Sequence, residues 1–257
     1  MGKVWASLIL VNMAILFFES KVSAGKLVTV WIIGDSTASS YSPDVYPRMG
    51  WGQTFGEFFG KGAVVRNEAI SGRSTKSFLD EGDFARVIGK IRPGDYLLMQ
   101  FGHNDEKIQD PKRYTDPPTY CENLSYFARA AGKAGAHPVI ITPVERRLFS
   151  GGVPAETHGD YPAAARKAAA DTGTPCIDLN AMSRDLYASM GEEDSKVIFL
   201  ILGRGLSPNY PEGIDDNTHL KTEGARIIGQ LVVDGLRNQS IPLAGYVKKS
   251  FLKQSDK

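Results

Sequence analysis

The chain has 257 residues, 42% of them hydrophobic and 23% charged, with a formal charge of +1. That composition excludes a disordered chain, and the near-neutral charge argues against nucleic acid or an anionic membrane as partner. No period of solenoid length recurs, and no internal run is of low complexity.

The first segment differs in kind from the rest. Met1-Gly2-Lys3 gives a positive start, Val4–Phe18 is apolar apart from Ser7 and Asn12, and Val22-Ser23-Ala24 is a small-residue cleavage pattern. This reads as a secretory signal peptide over residues 1–24, cut after Ala24. Its apolar core is shorter than the roughly 20 residues of a membrane span. Residues 1–24 carry Lys3, Lys21 and Glu19, a net +1, so cleavage leaves a neutral mature chain. The expectation is a secreted or periplasmic protein, free of the membrane once the peptide is gone. Residues 25–257 are expected to form a single domain. Export permits a disulfide between Cys121 and Cys176. They fall in a predicted helix and a predicted strand, however, and two free thiols fit as well.

The apolar, β-branched run Leu27–Ile33 predicts a buried strand, ended by Gly34-Asp35-Ser36-Thr37. A loop with Pro43 and Pro47 follows, then Gly50-Trp51-Gly52 and a helix over Gln53–Phe59. Ala63–Val65 is a short strand that runs into Asn67-Glu68-Ala69-Ile70-Ser71-Gly72, and Asp95–Phe101 is a third strand followed at once by Gly102-His103-Asn104-Asp105. After a proline-rich loop, Asp110–Pro118, the spacing of Leu124, Phe127, Ala128 and Ala131 predicts a helix over Thr119–Lys133. Pro138–Ile141 and Pro175–Leu179 read as strands four and five, with a polar loop at Val144–His158 and a helix at Tyr161–Asp171 between them. A helix at Ala181–Met190, a long loop through Gly203–Thr218 and a helix at Lys221–Leu236 complete the chain. Strands alternating with helices predict a parallel sheet covered on both faces. The simplest layout is a three-layer α/β/α, flavodoxin-like fold with a five-stranded parallel sheet.

In such a sheet, ligands bind at the carboxyl ends of the strands, and Ser36, Gly72 and Asn104 all follow strands directly. A serine hydroxyl needs a base to become a nucleophile. Of the four histidines, His219 stands three residues after Asp216, close enough for one turn to bring both side chains together. A carboxylate there can hold the imidazole in the tautomer that a general base requires. Each residue has a plainer reading: Ser36 as a helix N-cap, Asn104 and Gly72 as turn residues, and Asp216/His219 as a surface pair. His137 reads as structural and Trp51 as core. His103 reads as a local hydrogen-bonding group.

Taken together, strand-GDS, strand-loop-Gly72, strand-GHND and a late DxxH resemble the SGNH (GDSL-type) hydrolase superfamily. The resemblance implies Ser36 as nucleophile, His219 as general base and acid, and Asp216 as its partner, with Asp215 as the alternative. It also implies an oxyanion hole from the N–H groups of Ser36 and Gly72 and the amide of Asn104. The G-x-S-x-G elbow of α/β-hydrolases is absent. Gly34–Ala38, Gly50–Gln53, Asn67–Ser74, Gln100–Asp105, Thr142–Arg147, Thr157–Pro162 and Asp216–His219 look like rhamnogalacturonan acetylesterases over about Val28–Leu236. That implies removal of O-acetyl groups from a pectic, galacturonate-containing polysaccharide, with no metal or organic cofactor.

Arg73, Arg146 and Arg147 lie on loops at the same sheet edge, and guanidinium forks suit galacturonate carboxylates. They are candidate substrate contacts, against the plainer reading of structural ion pairs. Three other readings stay open: another acetylated glycan such as xylan, a lipid ester, and a non-catalytic glycan-binding protein. The polar loops argue against lipid. A zinc hydrolase would need ligands beyond Asp216 and His219.

Overall fold

The computed structural model describes residues 27–252. The predicted signal peptide and its expected cleavage point lie outside them. Strands are β1 (Val28–Gly34), β2 (Ala63–Asn67), β3 (Tyr96–Gln100), β4 (His137–Ile141), β5 (Phe149–Ser150), β6 (Val153–Pro154), β7 (Cys176–Ile177), β8 (Phe199–Leu202) and β9 (Ile214–Leu220). Helices are α1 (Trp51–Thr54), α2 (Thr75–Asp80), α3 (Asp83–Ile88), α4 (Pro117–Lys133), α5 (Tyr161–Thr172), α6 (Leu179–Asp194), α7 (Thr222–Asn238) and α8 (Lys249–Leu252). The main sheet is five-stranded and parallel, in the order β2-β1-β3-β4-β7. This is the three-layer α/β/α architecture expected from the sequence.

Side chains alternate across a strand, and β1 shows how both faces are filled. Val28, Val30 and Ile32 pack with Trp51, Phe55, Ile228 and Val232 on the α1/α7 side. Trp31 and Ile33 pack with Phe78, Phe127, Ala165 and Ala168 on the α2–α5 side. Burial on both faces explains why the central strands are near-continuous apolar runs.

The differences from expectation have local causes. Helix α4 begins at Pro117, inside the predicted loop, because proline in a first turn has no N–H to lose. Asp116 caps it by accepting from the Thr119 N–H at 2.8 Å. After Trp51–Thr54 the predicted helix tightens into a 3₁₀ turn, Phe55–Phe58. Helices α2 and α3 were not foreseen. Ser74 and Ser77 form a reciprocal capping box at the start of α2 without the glutamate that usually marks one. The predicted loop Gly203–Thr218 is in part a strand: β9 pairs antiparallel with β8. Cys121 and Cys176 are both free thiols. Among the described residues no helix is long and apolar enough to cross a membrane.

Candidate active site

Strand β1 ends at Gly34, where an added Cβ would meet the Gln100 carbonyl oxygen at 2.4 Å, so only glycine lets β1 and β3 stay paired. Asp35, fully buried, accepts from the Thr37 N–H at 2.9 Å and the Thr37 hydroxyl at 2.8 Å. This turn lifts Ser36 off the carboxyl end of the strand. Burial pushes the Asp35 carboxyl up, but His103 and the Thr37 bonds outweigh it and hold the carboxyl below its usual range. His103 Nδ1 lies 3.2 Å from Asp35 Oδ2. Burial pushes His103 down to about 4, with nearby His158 and Arg146 acting in the same direction. The ring is therefore neutral at pH 7 and donates to Asp35, the local structural contact expected of it.

Ser36 Oγ is 3.0 Å from His219 Nε2, and His219 Nδ1 is 2.7 Å from Asp216 Oδ2. The histidine does not sit on a helical turn, as its spacing suggested. Pairing of β8 with β9 runs Leu202–Ile214, Ile201–Asp215 and Leu200–Asp216, then slips so that Phe199 meets Leu220. Asn217, Thr218 and His219 bulge out of the ladder, and a bulge re-aims side chains in this way. Asp216 Oδ1 holds the bulge by accepting from the Thr218 and His219 N–H groups, each at 2.9 Å. Burial opposes ionisation of Asp216, but the hydrogen bonds from His219 prevail and its carboxyl lies well below the usual range. An ionised Asp216 facing Nδ1 leaves Nε2 to accept the serine proton. Asp215 instead accepts from the Asn217 side chain.

Gly72 occupies the third position of a turn closed by the Arg73 N–H on the Ile70 carbonyl at 3.2 Å. Its φ of +82° is what a type II turn demands of that position. The preceding Ile70 N–H donates to the Gly34 carbonyl at 3.0 Å, so this turn is tied to the end of β1. Asn104 is buried, with Nδ2 donating to the Arg73 carbonyl at 3.0 Å and Oδ1 accepting from Lys107 Nζ at 2.9 Å. An ammonium can only donate, so Lys107 fixes which end of the amide is which, and Asn104 keeps a second N–H to spare. Among the described residues the N–H groups of Ser36 and Gly72 have no protein acceptor. Three donors are thus available at one sheet edge.

The three arginines expected to meet substrate are spent on the protein. Arg73 pairs with Glu81 and with Asp83, the latter at 3.0 Å. Arg146 pairs with Glu106 and donates to the Thr157 carbonyl. Arg147 is buried, donating to the Asn217 side chain at 2.7 Å while its N–H meets the Asn217 carbonyl at 2.9 Å. It braces the bulge that carries His219. The sequence shows the charges and not their partners, one of which, Asn217, is 70 positions from its arginine. Sequence reasoning also missed Tyr41, whose hydroxyl donates to the Ser36 carbonyl at 2.7 Å. Trp51 is fully buried, its indole N–H donating to Gln100 at 2.9 Å.

The GDSL-like Lipase/Acylhydrolase family matches residues 32–227. The rhamnogalacturonan acetylesterase RhgT of Bacillus subtilis (strain 168) is 42% identical over 223 residues, 86% of this chain and 95% of that protein. The probable rhamnogalacturonan acetylesterase YesY of the same organism is 36% identical, covering 86% of this chain and 97% of its own. Among solved structures, Bacillus subtilis YxiM superposes with a TM-score of 0.72 at 27% identity, over 84% of this chain and 58% of that longer one. A catalytic mutant of Axe2, an acetylxylan esterase from Geobacillus stearothermophilus, shares the fold at a TM-score of 0.59 and 13% identity, over 82% of this chain and 95% of that one.

Proposed function

The chain belongs to the GDSL-like lipase/acylhydrolase family and is a carboxylic-ester hydrolase, and from that premise we propose that it is a secreted serine esterase removing O-acetyl groups from pectic rhamnogalacturonan. The observation that carries the mechanism is the unbroken relay Ser36–His219–Asp216, at 3.0 and 2.7 Å, beside three available N–H donors. Ser36 Oγ attacks the acetyl carbonyl and gives its proton to His219 Nε2. Asp216 holds Nδ1–H and stabilises the imidazolium. Negative charge on the carbonyl oxygen is met by the N–H groups of Ser36 and Gly72 and by Asn104, a type of contribution that is usually the largest single one. Collapse expels the sugar hydroxyl, which takes the proton from His219. Water, deprotonated by the same nitrogen, then cleaves acetyl-Ser36 to acetate and free enzyme.

The substrate reading is supported by the names of the relatives at 42% and 36% identity, and secretion by the pattern of residues 1–24. The test is acetate release from acetylated rhamnogalacturonan, acetylated xylan and a long-chain ester by the mature protein and by Ser36→Ala. Release by the wild type is greatest on rhamnogalacturonan, and Ser36→Ala lowers kcat on the order of 10⁶-fold. Undiminished release by the variant overturns the mechanism, and a preference for xylan overturns the substrate. An intact N-terminus on protein recovered from the culture medium or periplasm would count against cleavage after Ala24.

A further inference from the structure

An esterase acting on a uronate polymer must accommodate carboxylates beside the acetyl group, yet Arg73, Arg146 and Arg147 are already partnered. Arg48 is not. Among the described residues no carboxylate forms an ion pair with it, and its Nε is buried with no hydrogen-bond partner. Its place in the fold is beside the site. Arg48 forms an isolated antiparallel bridge with Lys221, two residues past His219, and the next N–H, of Met49, donates to the Leu220 carbonyl at 3.0 Å. The guanidinium carbon lies 4.6 Å from the centre of the Tyr41 ring, and the hydroxyl of that ring is bonded to the Ser36 carbonyl. Tyr210, on the loop between β8 and β9, donates to the Val45 carbonyl at 3.0 Å, three residues before Arg48.

A ring face attracts a cation without neutralising it. The Nε–H that no protein group meets is left for a planar acceptor, and a carboxylate can take it together with a neighbouring Nη in two-point fashion. We propose that Arg48 is the specificity-determining residue that grips a uronate carboxylate of the polymer while the neighbouring acetyl ester lies at Ser36. The assignment rests on the pectic reading above. The plainer account makes Arg48 a prop for Tyr41, which would affect every ester alike. The Lys107 ammonium at this edge is taken up by Asn104 Oδ1 at 2.9 Å, and a further cation here is Arg113, with its guanidinium carbon 3.6 Å from where a Cβ on Gly72 would lie. Its Nε is held by Asp110 at 3.1 Å, so its charge is met within the protein.

The experiment compares kcat and KM on acetylated rhamnogalacturonan and on the same polymer after chemical reduction of its carboxylates, at low and high salt. Wild type, Arg48→Gln, Arg48→Lys and Arg113→Gln are measured side by side. The wild-type preference for the acidic polymer falls about tenfold in Arg48→Gln, as expected for loss of one charge-assisted contact. The change lies in KM, and the salt dependence of the preference goes with it. Arg48→Lys restores part of the preference because the charge returns without the fork. If the preference persists in Arg48→Gln, if both polymers suffer equally through kcat, or if Arg113→Gln alone carries the loss, the assignment is overturned. Wild-type indifference to carboxylate reduction, with activity on the acidic polymer intact, removes Arg48 and leaves the pectic reading standing. Wild-type activity on acetylated xylan alone removes both.

Discussion

Ser36 and His219 face each other across 3.0 Å, but the two sides of that gap are built differently. The serine side is made of sheet. Gly34 still pairs with Gln100, Asp35 beneath the serine is fully buried, and the Gly72 turn hangs from the Gly34 carbonyl. The histidine side lies outside the main sheet, on a two-stranded hairpin, with the His219 and Asp216 side chains 22% and 24% exposed. It is fixed by one aspartate turn, by the Arg147 brace and, just past His219, by the Met49 N–H on the Leu220 carbonyl. Nucleophile and oxyanion donors are therefore bound up with the core, whereas the base is positioned by local contacts. Changes on the two sides should differ in what they do to stability.

The largest expected effect breaks the histidine side. Asp216→Asn keeps an oxygen for the Thr218 and His219 N–H groups but offers an N–H where the imidazole needs an acceptor. Loss of the right tautomer lowers kcat about 10,000-fold, with the melting temperature close to wild type. A large fall in melting temperature would make the two sides alike. On the sheet side, Asn104→Ala removes one oxyanion donor and lowers kcat about 100- to 1,000-fold. It also strips a partner from the part-buried Arg73 carbonyl, so about 1 kcal/mol of stability is lost in denaturant titration. An unchanged midpoint would erase the contrast.

The smallest effect concerns pH and His103. In the unfolded chain this histidine titrates near 6.5, whereas in the fold it stays neutral down to about 4. The unfolded state takes up the proton first, so stability present above pH 6.5 is lost as pH falls toward 4. Asp105, pushed up to about 7 by burial against its hydrogen bonds from Thr75 and Thr115, acts in the opposite sense over pH 7 to 4. His103→Gln retains a donor for Asp35 and leaves Asp105 alone. The stability difference between wild type and His103→Gln thus isolates the histidine, and it shifts against the wild type by up to about 3 kcal/mol between pH 7 and pH 4. A difference that does not vary with pH would mean that His103 is not held neutral by the core.

The same division governs what could be read without coordinates. Runs such as Val28–Ile33 and Tyr96–Gln100 are apolar because both sheet faces are covered, so the main sheet and the three strand-following residues Ser36, Gly72 and Asn104 were legible. The hairpin was not, because its apolar strand Phe199–Leu202 is only four residues long. Its partner, Asp215-Asp216-Asn217-Thr218, is polar and lacks the alternation of a half-buried strand, and the residues between them are rich in glycine and proline. Asp216 and His219 were paired on a helical spacing, and a bulge brought them together instead. The partners of the arginines were not legible because charge is visible in a sequence and long-range pairing is not: Arg73 is met by Glu81 and Asp83, Arg146 by Glu106, and Arg147 is hydrogen-bonded to Asn217.

The slip in the β8–β9 ladder also bears on how homologues can diverge. Regular pairing at Leu200–Asp216, Ile201–Asp215 and Leu202–Ile214 insulates the imidazole from the hairpin tip, 203–213. That tip lays Ser207, Asn209 and Tyr210 against the Pro43–Tyr46 segment, next to Arg48. Residues can be gained or lost there, and new sugar contacts tried, without moving the base. Deleting a single residue from 217–219 would instead shorten the bulge and carry the imidazole away from Ser36. Natural length variation is expected to gather in the tip and to spare the four residues that end in His219.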